Sequence, residues 1–393
     1  MQRINVVIVG AGMYVTGRGT DSLGTIMPAL YEWNKKQSLG DIYLASTGQK
    51  SINQAKKKIK ALEKVMGLKL PITYYPTKTK NNVSAYKDAI NEIPKPAACI
   101  VSVPDDLHKR VAEYAIRNGL HTLVVKPLAP TVKEVYQLIR AQDRAQVYGA
   151  VEFHKRLDWA NLKLRDAISN GKIGEPLYFI VEYSQRKSIP TKMFKKWAEK
   201  TNIFQYLGVH YVDIIKFVTG ARPIRVMATG QKTLLLSQRI NAYDATQAVI
   251  EWKMPSGNKF SSYILTNWID PEHTSAMSDQ KIKVIGTKGR FESDQKNRGI
   301  KVVTDKNGQE EPNPYFCTPY GKNGNVSYKG YGIDSIHQFL SDVMDVEDQK
   351  VTIKALEGKR PTFRDSIITT KVLEGVGKSL KNNGKWISLE DLK

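Results

Sequence analysis

An amine, a phenol and an imidazole stand at positions in this sequence from which they could move a proton. Lys126 comes directly after the strand-like run His121–Val125 and directly before a proline, so its backbone would be fixed at the end of a strand. Tyr206 and His210 lie in the segment Phe204–Val218, which has a helical pattern, and their spacing would put both on one face. An imidazole has a suitable pKa for acid–base work, and a phenol can donate a hydrogen bond. These groups suggest proton transfer to or from an oxygen of a bound molecule.

Each of these residues also has a structural interpretation. A lysine at the end of a strand is commonly solvated, and a lone histidine is more often a hydrogen-bonded structural residue than a reacting group. The residues alone support the two interpretations of Lys126 equally, while the pairing of His210 with Tyr206 favours acid–base work. Asp213 falls on the same predicted stripe, where it would orient His210 or a neighbouring helix, or else contact a substrate directly.

The element that could supply a reaction partner lies at the start of the chain. Ile4–Val9 is apolar and mostly β-branched, which predicts a strand buried on both faces of a parallel sheet, and Gly10-Ala11-Gly12 follows it. Glycines at such a turn let the backbone approach a dinucleotide, whose pyrophosphate can bind N–H groups at the start of the next helix. Val15 occupies the usual third glycine position, and more glycines follow at positions 17, 19 and 24, so we expect that helix to begin late, behind a longer loop. The residues expected to contact the dinucleotide at this turn are Gly10, Gly12, Met13 and Tyr14.

The end of the second predicted strand, Asp41–Ser46, bears on which dinucleotide is bound. Asp or Glu often stands there to hold the ribose 2′-hydroxyl of NAD. The stretch that begins at Ser46 has no carboxylate, and Ser46, Thr47 and Lys50 instead offer hydroxyls and a cation that would attract a 2′-phosphate. This favours NADP, with NAD still open. The alternative is that Lys50 is simply the first exposed residue of the next helix.

Strand and helix patterns alternate as far as residue 151. A buried-type strand over Ala98–Val103 ends at Pro104 and leads into a helix, and Gln146–Val151 has the pattern of the last strand of this half. The alternation predicts a parallel sheet with right-handed crossovers. Pro104 and His108 would then lie on the cofactor side of the sheet, with His108 as a packing residue rather than a reacting group.

The pattern changes after residue 151. Strand-like segments now follow one another with few helices between them: Leu177–Tyr183, Arg225–Thr229, Ala248–Lys253, Phe260–Thr266 and Lys281–Ile285. This predicts an α+β domain with a mostly antiparallel sheet, so that 1–151 is a dinucleotide-binding Rossmann domain and 152–393 is a second domain. Among the cations at this junction, Lys155 is the best candidate to hold an acidic group of a substrate. The alternative is a charged surface turn.

Composition limits the classes of function. The chain has 60 Lys and Arg against 38 Asp and Glu, a net charge of +22. Because the basic residues are spread along the chain, we expect a solvated basic surface that suits anionic small molecules, and no nucleic-acid partner. No membrane span or signal peptide is visible. Cys99 and Cys317 lack metal-ligand spacing, so we expect no metal, no disulfide framework and a cytoplasmic location.

Five short motifs in one order carry a family resemblance. They are Gly10-Ala11-Gly12, PDDLH at 104–108, VKPLA at 125–129, GVHYVD at 208–213 and RPTFRD at 360–365. Over nearly the whole chain they resemble the glucose–fructose oxidoreductase, inositol dehydrogenase and rhizopine-catabolism (Gfo/Idh/MocA) family of NAD(P)-dependent oxidoreductases. The resemblance implies an N-terminal Rossmann domain and a C-terminal domain with a large open sheet, so that 152–393 serves substrate binding and oligomerisation. It likewise implies a dimer or tetramer joined through that sheet. It also implies hydride transfer between the nicotinamide and a sugar or cyclitol carbon.

The resemblance assigns the proton to Lys126 and His210, with Tyr206 assisting. Two positions depart from the family pattern: Val125 replaces the acid of Glu-Lys-Pro, and Tyr206 stands where dehydrogenases of the family often have Asp. The expected substrate is a sugar, a phosphorylated or nucleotide-linked sugar, or a cyclitol. A dihydrodiol or imine reductase and a non-catalytic dinucleotide-binding regulator are the alternatives. Candidates to line a sugar pocket are Gln185, Arg186 and Trp197.

Overall fold

The computed structural model describes residues 3–37, 39–77 and 81–392. Contacts divide the chain into two units. The Rossmann unit comprises Met1–Ala129, Lys133–His154 and Tyr315–Ile367, and the sheet unit comprises Pro130–Val132, Lys155–Pro314 and Ile368–Lys393. The predicted division assigns cofactor binding to 1–151 and substrate binding to 152–393, and this assignment stays a prediction. By its contacts, the segment Tyr315–Ile367 belongs with the Rossmann unit.

Both units combine strands with helices. In chain order, the strands are β1 (Asn5–Val9), β2 (Ile42–Ala45), β3 (Ile72–Tyr75), β4 (Ala97–Val101), β5 (His121–Val125), β6 (Gly149–Glu152), β7 (Pro176–Arg186), β8 (Arg222–Gln231), β9 (Ala245–Lys253), β10 (Lys259–Asp270), β11 (Ser278–Gly286), β12 (Arg290–Asp294), β13 (Val302–Thr304), β14 (Gly308–Glu310), β15 (Thr318–Lys322), β16 (Asn325–Lys329) and β17 (Ile387–Ser388). The α-helices are α1 (Met13–Thr16), α2 (Ile26–Lys36), α3 (Gln49–Met66), α4 (Ala85–Glu92), α5 (His108–Arg117), α6 (Val132–Ala145), α7 (Trp159–Ser169), α8 (Lys195–Ala198), α9 (Val209–Thr219), α10 (Leu234–Ser237), α11 (Tyr331–Glu347), α12 (Ile353–Leu356) and α13 (Ile367–Lys381). None of the described helices is long and apolar enough to cross a membrane.

The Rossmann unit is built on a parallel sheet with the strand order β3-β2-β1-β4-β5-β6. Its strands arise from the apolar runs of the sequence, and every residue of β4 is buried. The predicted parallel sheet is therefore confirmed. Because the strand order reverses between β1 and β4, the carboxyl ends of these strands border the crevice in which such sheets bind ligands.

The first turn of the Rossmann unit leads into two helices rather than one. Helix α1 is a single turn that ends where Gly17 adopts a left-handed conformation with a φ of 73°. The long helix α2 begins only at Ile26, so the predicted late start is found. Val15, at the third glycine position, is fully buried in the apolar core.

The segment Tyr315–Ile367 completes the core of the Rossmann unit. It contributes the hairpin β15–β16 and the long helix α11, which packs against α2. Apolar side chains of this segment share one cluster with β1 and α2, among them Val326, Ile336 and Phe339. The chain thus returns to its N-terminal half after building the sheet unit.

The sheet unit carries a seven-stranded sheet in the order β12-β11-β7-β10-β9-β8-β17. Among its described strands, β7 and β10 pair in parallel and the other neighbours pair antiparallel. The predicted mostly antiparallel sheet is confirmed. Burial alternates along β10, with Ile264 and Trp268 buried and Tyr263 and Leu265 exposed. One face of the sheet is therefore covered within the chain, and the other presents apolar side chains.

Candidate active site

Gly10 and Gly12 follow β1 and are needed for different reasons. Gly10 has a φ of +114°, and a Cβ there would stand 2.0 Å from the carbonyl oxygen of Ser102, so only glycine fits. Gly12 has an ordinary φ of −83°, and a Cβ on it would meet no atom of the described chain within 4 Å. The open space beside Gly12 fits the close approach of a dinucleotide. Met13 and Tyr14 come next and are half-buried.

The end of β2 carries the groups that the sequence connects with a 2′-phosphate. Ser46 is half-buried, while Thr47 and Lys50 are exposed. Helix α3 begins at Gln49, so Lys50 lies in its first turn, where the helix dipole and the ammonium both favour an anion. Between Ser46 and Ser51 the sequence has no carboxylate to repel one.

Lys126 lies directly after β5, at the carboxyl end of the parallel sheet, and is half-buried. The peptide bond that joins it to Pro127 is cis. On the neighbouring strand-end loop, Pro104 is exposed and precedes the short 3₁₀ turn Asp105–Leu107. Lys126 and Pro104 therefore follow adjacent strands, β5 and β4, on the nicotinamide half of a dinucleotide fold.

His108 is buried between these two loops. Its Nδ1 lies 2.6 Å from the carbonyl oxygen of Pro127, and its Nε2 lies 2.9 Å from that of Val103. Desolvation lowers the pKa of His108, and the nearby Asp105 carboxylate opposes that shift. Both ring nitrogens thus face the protein's own backbone, which agrees with a packing residue rather than a reacting group.

An acid–histidine pair that the sequence did not reveal lies at the end of β6 and just after it. Nδ1 of His154 lies 2.8 Å from Oε2 of Glu152, and the Ser335 hydroxyl donates to Oε1 of Glu152 at 2.6 Å. The Tyr14 hydroxyl lies 3.5 Å from the same Nδ1, and burial beside Glu152 raises the pKa of Tyr14. The signal was the spacing of two between Glu152 and His154, which puts both on one side of an extended chain.

Lys155 and Arg156 begin the sheet unit and are buried, so the alternative of a charged surface turn is wrong. The Lys155 ammonium contacts the Oε1 of Gln280 and lies 5.4 Å from the ring of Tyr183. Desolvation lowers the pKa of Lys155 to about 8. Arg156 donates from Nε to Oδ2 of Asp213 at 2.8 Å, and its Nη2 donates to the other oxygen.

The predicted helix over 204–218 is regular only in part. Phe204–Gly208 forms a π-helix, and α9 continues from Val209. A π turn shifts the register of side chains, and such turns are frequent at functional sites. Tyr206 is half-buried in this turn, and His210 is buried in the first turn of α9.

Aromatic and amide groups surround Tyr206. The ring of Trp197 lies 5.1 Å from it, edge to face, and Gln185 hydrogen-bonds its hydroxyl. Burial raises the pKa of Tyr206 to about 12, so the phenol keeps its proton. The ring of Tyr183 lies 6.3 Å from that of His210 and 5.4 Å from the Lys155 ammonium. Two of the three suggested pocket residues, Gln185 and Trp197, thus adjoin Tyr206, whereas Arg186 donates to the Thr274 carbonyl.

The candidate residues therefore form two sets. The set of the Rossmann unit surrounds the carboxyl ends of its strands: Gly10, Gly12, Met13, Tyr14, Ser46, Thr47, Lys50, Pro104, His108 and Lys126. The set of the sheet unit consists of Tyr206 just before α9, His210 and Asp213 in α9, and Lys155, whose ammonium lies 5.7 Å from the ring of Tyr211 in that helix. The first set has the backbone geometry of a dinucleotide site, and the second offers proton donors and acceptors.

Comparison with known proteins decides the family. Residues 4–153 match the GFO/IDH/MocA model described as the oxidoreductase family with an NAD-binding Rossmann fold, and residues 161–292 match the model of the GFO/IDH/MocA C-terminal domain. The chain belongs to the Gfo/Idh/MocA family. The resemblance inferred from five short motifs is thus confirmed.

The curated relatives of this Gfo/Idh/MocA member are distant. The myo-inositol 2-dehydrogenase of Thermotoga maritima is 27% identical over 228 residues, which are 57% of this chain and 65% of that protein. The 1,5-anhydro-D-fructose reductase of Ensifer adhaerens is 25% identical over 218 residues, 54% of this chain and 62% of that protein. The matched region is therefore less than two thirds of either relative's length.

Solved structures share the fold of this family member. The scyllo-inositol dehydrogenase of Lactobacillus casei, solved with bound NAD(H) and scyllo-inositol, has a TM-score of 0.69 and 16% identity, covering 99% of this chain and 100% of its own. The myo-inositol 2-dehydrogenase of Lactobacillus plantarum has a TM-score of 0.68 and 19% identity, covering 98% and 99%. At these identities the likeness establishes the fold.

Proposed function

We propose that this protein is an NAD(P)-dependent oxidoreductase. It transfers a hydride between nicotinamide C4 and a secondary alcohol or ketone carbon of a sugar, a sugar derivative or a cyclitol. The observation that carries this proposal is the position of Lys126, at the carboxyl end of β5 on the same sheet edge as the open glycine turn. Family membership supports it, as do the names of the relatives, which are dehydrogenases and reductases of cyclitols and sugars.

The cofactor proposal rests on the strand ends of the Rossmann unit. When bound, the nicotinamide dinucleotide supplies the hydride acceptor or donor. Gly10, Gly12, Met13 and Tyr14 would hold it at the first turn, and Pro104, His108 and Lys126 would border it further along the sheet edge. NADP is favoured over NAD because Ser46, Thr47 and Lys50 offer hydroxyls and a cation and no acid.

The protein's own part of the reaction is to handle a proton. Oxidising an alcohol releases the hydroxyl proton, which a base must accept, and the reverse reaction needs a donor at the carbonyl oxygen. We assign this work to Lys126 and His210, and Tyr206, protonated at neutral pH, donates a hydrogen bond to the substrate. Within the sheet unit, Asp213 holds Arg156, and the Lys155 ammonium lies near the ring of Tyr183, where it is the candidate to hold an acidic group of the substrate.

The substrate class follows from chemistry and charge. Gln185 and Trp197 beside Tyr206 suit a hydroxylated ring, because a ring stacks on an aromatic face and an amide bonds its hydroxyls. The net charge of +22 is compatible with a phosphorylated or nucleotide-linked sugar as well as a neutral cyclitol.

A substrate screen tests the proposed function. Purified protein is incubated with NADP⁺ or NAD⁺ and a panel of inositols, aldoses and their phosphates, and reduced nicotinamide is followed by its absorbance. We expect turnover of at least one cyclitol or sugar by the wild type and turnover lower by about 100-fold or more by Lys126→Ala. Dihydrodiols and imines are tested in the same way. Tight cofactor binding without turnover of any of these compounds would instead identify a dinucleotide-binding regulator.

A further inference from the structure

His108 ties together the two loops that follow β4 and β5. Its ring reaches the carbonyl oxygen of Val103 in one loop and that of Pro127 in the other. Only 2% of its surface is exposed. We propose that His108 is the positioning residue for Lys126, acting through a hydrogen bond from its Nδ1–H to the carbonyl of Pro127. This inference rests on the proposed function of Lys126.

Lys126 needs an anchor on the side of Pro127. Before Lys126, the backbone is held by the sheet, because Val125 pairs with Glu152 of β6. After it, the carbonyl oxygen of Pro127 lies 2.6 Å from Nδ1 of His108. A lysine amine sits on a flexible four-carbon stem, so its reach is defined only when its backbone is held. His108 supplies the second of these two restraints.

The number of protons on the ring decides which bond His108 makes. A neutral imidazole has one N–H donor and one acceptor, and the two carbonyls that it faces both accept. Desolvation and the nearby Lys126 ammonium lower the pKa of His108, while the Asp105 carboxylate opposes them, so the ring is neutral at pH 7. We assign the proton to Nδ1, because its contact with Pro127 is the shorter one. The bond that is kept is thus the one next to Lys126.

His121 provides a matched control, because it lies on β5, the strand that leads to Lys126. It is buried like His108, its Nδ1 accepts the N–H of Tyr148 at 2.9 Å, and its Nε2 lies 2.6 Å from Glu347. His121 begins β5, whereas Lys126 follows its other end. Removing either histidine deletes a buried, hydrogen-bonded ring, but only His108 holds the loop of Lys126.

The experiment compares His108→Ala, His108→Asn and His108→Gln with His121→Gln. An asparagine carries its amide nitrogen near the position of a histidine Nδ1, and a glutamine carries its own near Nε2. We expect His108→Ala and His108→Gln to lower kcat about 10- to 100-fold, as a small misplacement of a reacting group does, with a smaller change in cofactor Kd. His108→Asn should keep much of the kcat, because it still donates to Pro127, and His121→Gln should lower Tm and leave kcat near wild type.

These variants also show what would overturn the inference. Equal losses of kcat in His108→Asn and His108→Gln would mean that the Pro127 bond does not matter. A loss of kcat in His121→Gln as large as in His108→Ala would reduce His108 to a general folding residue. If His108→Ala does not fold, the Asn and Gln variants alone still decide between these outcomes.

A second readout does not depend on turnover. Lysine amines are methylated with ¹³C-formaldehyde, the Lys126 signal is assigned by its absence in Lys126→Arg, and its pKa is measured by NMR. We expect His108→Gln to move the shift and pKa of this signal and His121→Gln to leave them unchanged. A Lys126 signal that is unchanged in every His108 variant overturns the inference. Absence of turnover in the wild type, with the NMR change still present, overturns only the proposed function.

Discussion

The guanidinium of Arg156 and the carboxylate of Asp213 form a two-point ion pair in the interior of the sheet unit. Their side chains are 10% and 2% exposed, and the Nε–Oδ2 distance is 2.8 Å. Arg156 precedes α7, and Asp213 lies in α9 three residues after His210. The pair therefore joins the 3₁₀ turn before α7 to the helix that carries the candidate catalytic histidine, and it favours an orienting role for Asp213 over a contact with substrate.

Removing the carboxylate of this pair should destabilise the protein. Asp213→Ala leaves a buried guanidinium without its partner, which lowers the free energy of unfolding by about 3–5 kcal/mol. Asp166→Ala is the control, because Asp166 pairs with Lys163 and Lys172 at the surface, where solvent screens the pair and its loss changes stability little. Urea unfolding measures both. A stable Asp213→Ala protein with a raised KM would instead support direct substrate binding.

The end of β2 predicts a preference for NADPH over NADH. Titration of both cofactors by fluorescence measures it. Lys50→Glu should weaken NADPH binding specifically, because an attraction to the 2′-phosphate becomes a repulsion. Lys57→Glu, an exposed residue further along α3, makes the same change of charge away from the strand end and should have little effect. A clear preference of the wild type for NADH would contradict the prediction.

The Rossmann half was accessible from sequence because its signals are local. The run predicted as a strand at His121–Val125 has the bounds of β5. The apolar stripe of α3, with Ile52, Ile59 and Met66 buried, follows from a period that the sequence displays directly. Gly10 and Gly12 mark a turn that needs no side chain. In each case, neighbouring residues determine the structure.

What the sequence did not reveal depends on distant partners. Lys155 is buried because Gln280 and Gln295, 125 and 140 residues further on, bring amide oxygens to its ammonium. Glu152 accepts a hydrogen bond from Ser335, which lies 183 residues further along the chain. The π turn before α9 changes the helical register of Tyr206. The only residue of this turn that could have signalled it is Gly208 at its end. Contacts between residues far apart in the chain determine these features, so a pattern of neighbouring residues does not predict them.

Acid should weaken the folded state through its buried histidines. Burial lowers the pKa of His108, His121 and His337 below the ordinary value of about 6.5. The unfolded chain then binds protons that the folded chain excludes, so stability is full above about pH 6.5 and is lost as pH falls through the lowered folded values. Thermal melts between about pH 8 and pH 5 should show a falling Tm. His121→Gln should make the fall shallower, and an unchanged slope would contradict this origin.

The uncovered face of the large sheet predicts an oligomer. Tyr263 and Leu265 of β10 are exposed on it, and contiguous apolar surface of this kind usually marks an interface. Light scattering should show a dimer or tetramer, and the double change Tyr263→Lys with Leu265→Lys should yield monomers. Val303→Lys, on a hairpin outside this sheet, is the control for an exposed apolar residue. A monomeric wild type across a wide concentration range would contradict the prediction.

The last prediction concerns the proton. Lys126→Ala should lower kcat about 100- to 10,000-fold, the usual contribution of a general acid or base, and leave cofactor affinity nearly unchanged. His210→Ala should have a similar effect. Tyr206→Phe should have a smaller one, because it removes one hydrogen bond and keeps the ring against Trp197.

The double mutant of Lys126 and His210 shows whether the two residues act on the same proton or on different ones. If Lys126 and His210 act on the same proton, the loss in Lys126→Ala with His210→Ala will be less than the product of the single losses. Independent roles give a multiplicative loss. Each single variant is checked for cofactor affinity and Tm, so that unfolding is not mistaken for lost chemistry. Near-normal turnover by Lys126→Ala on a confirmed substrate would show that the proton is handled elsewhere, even though the family assignment stands.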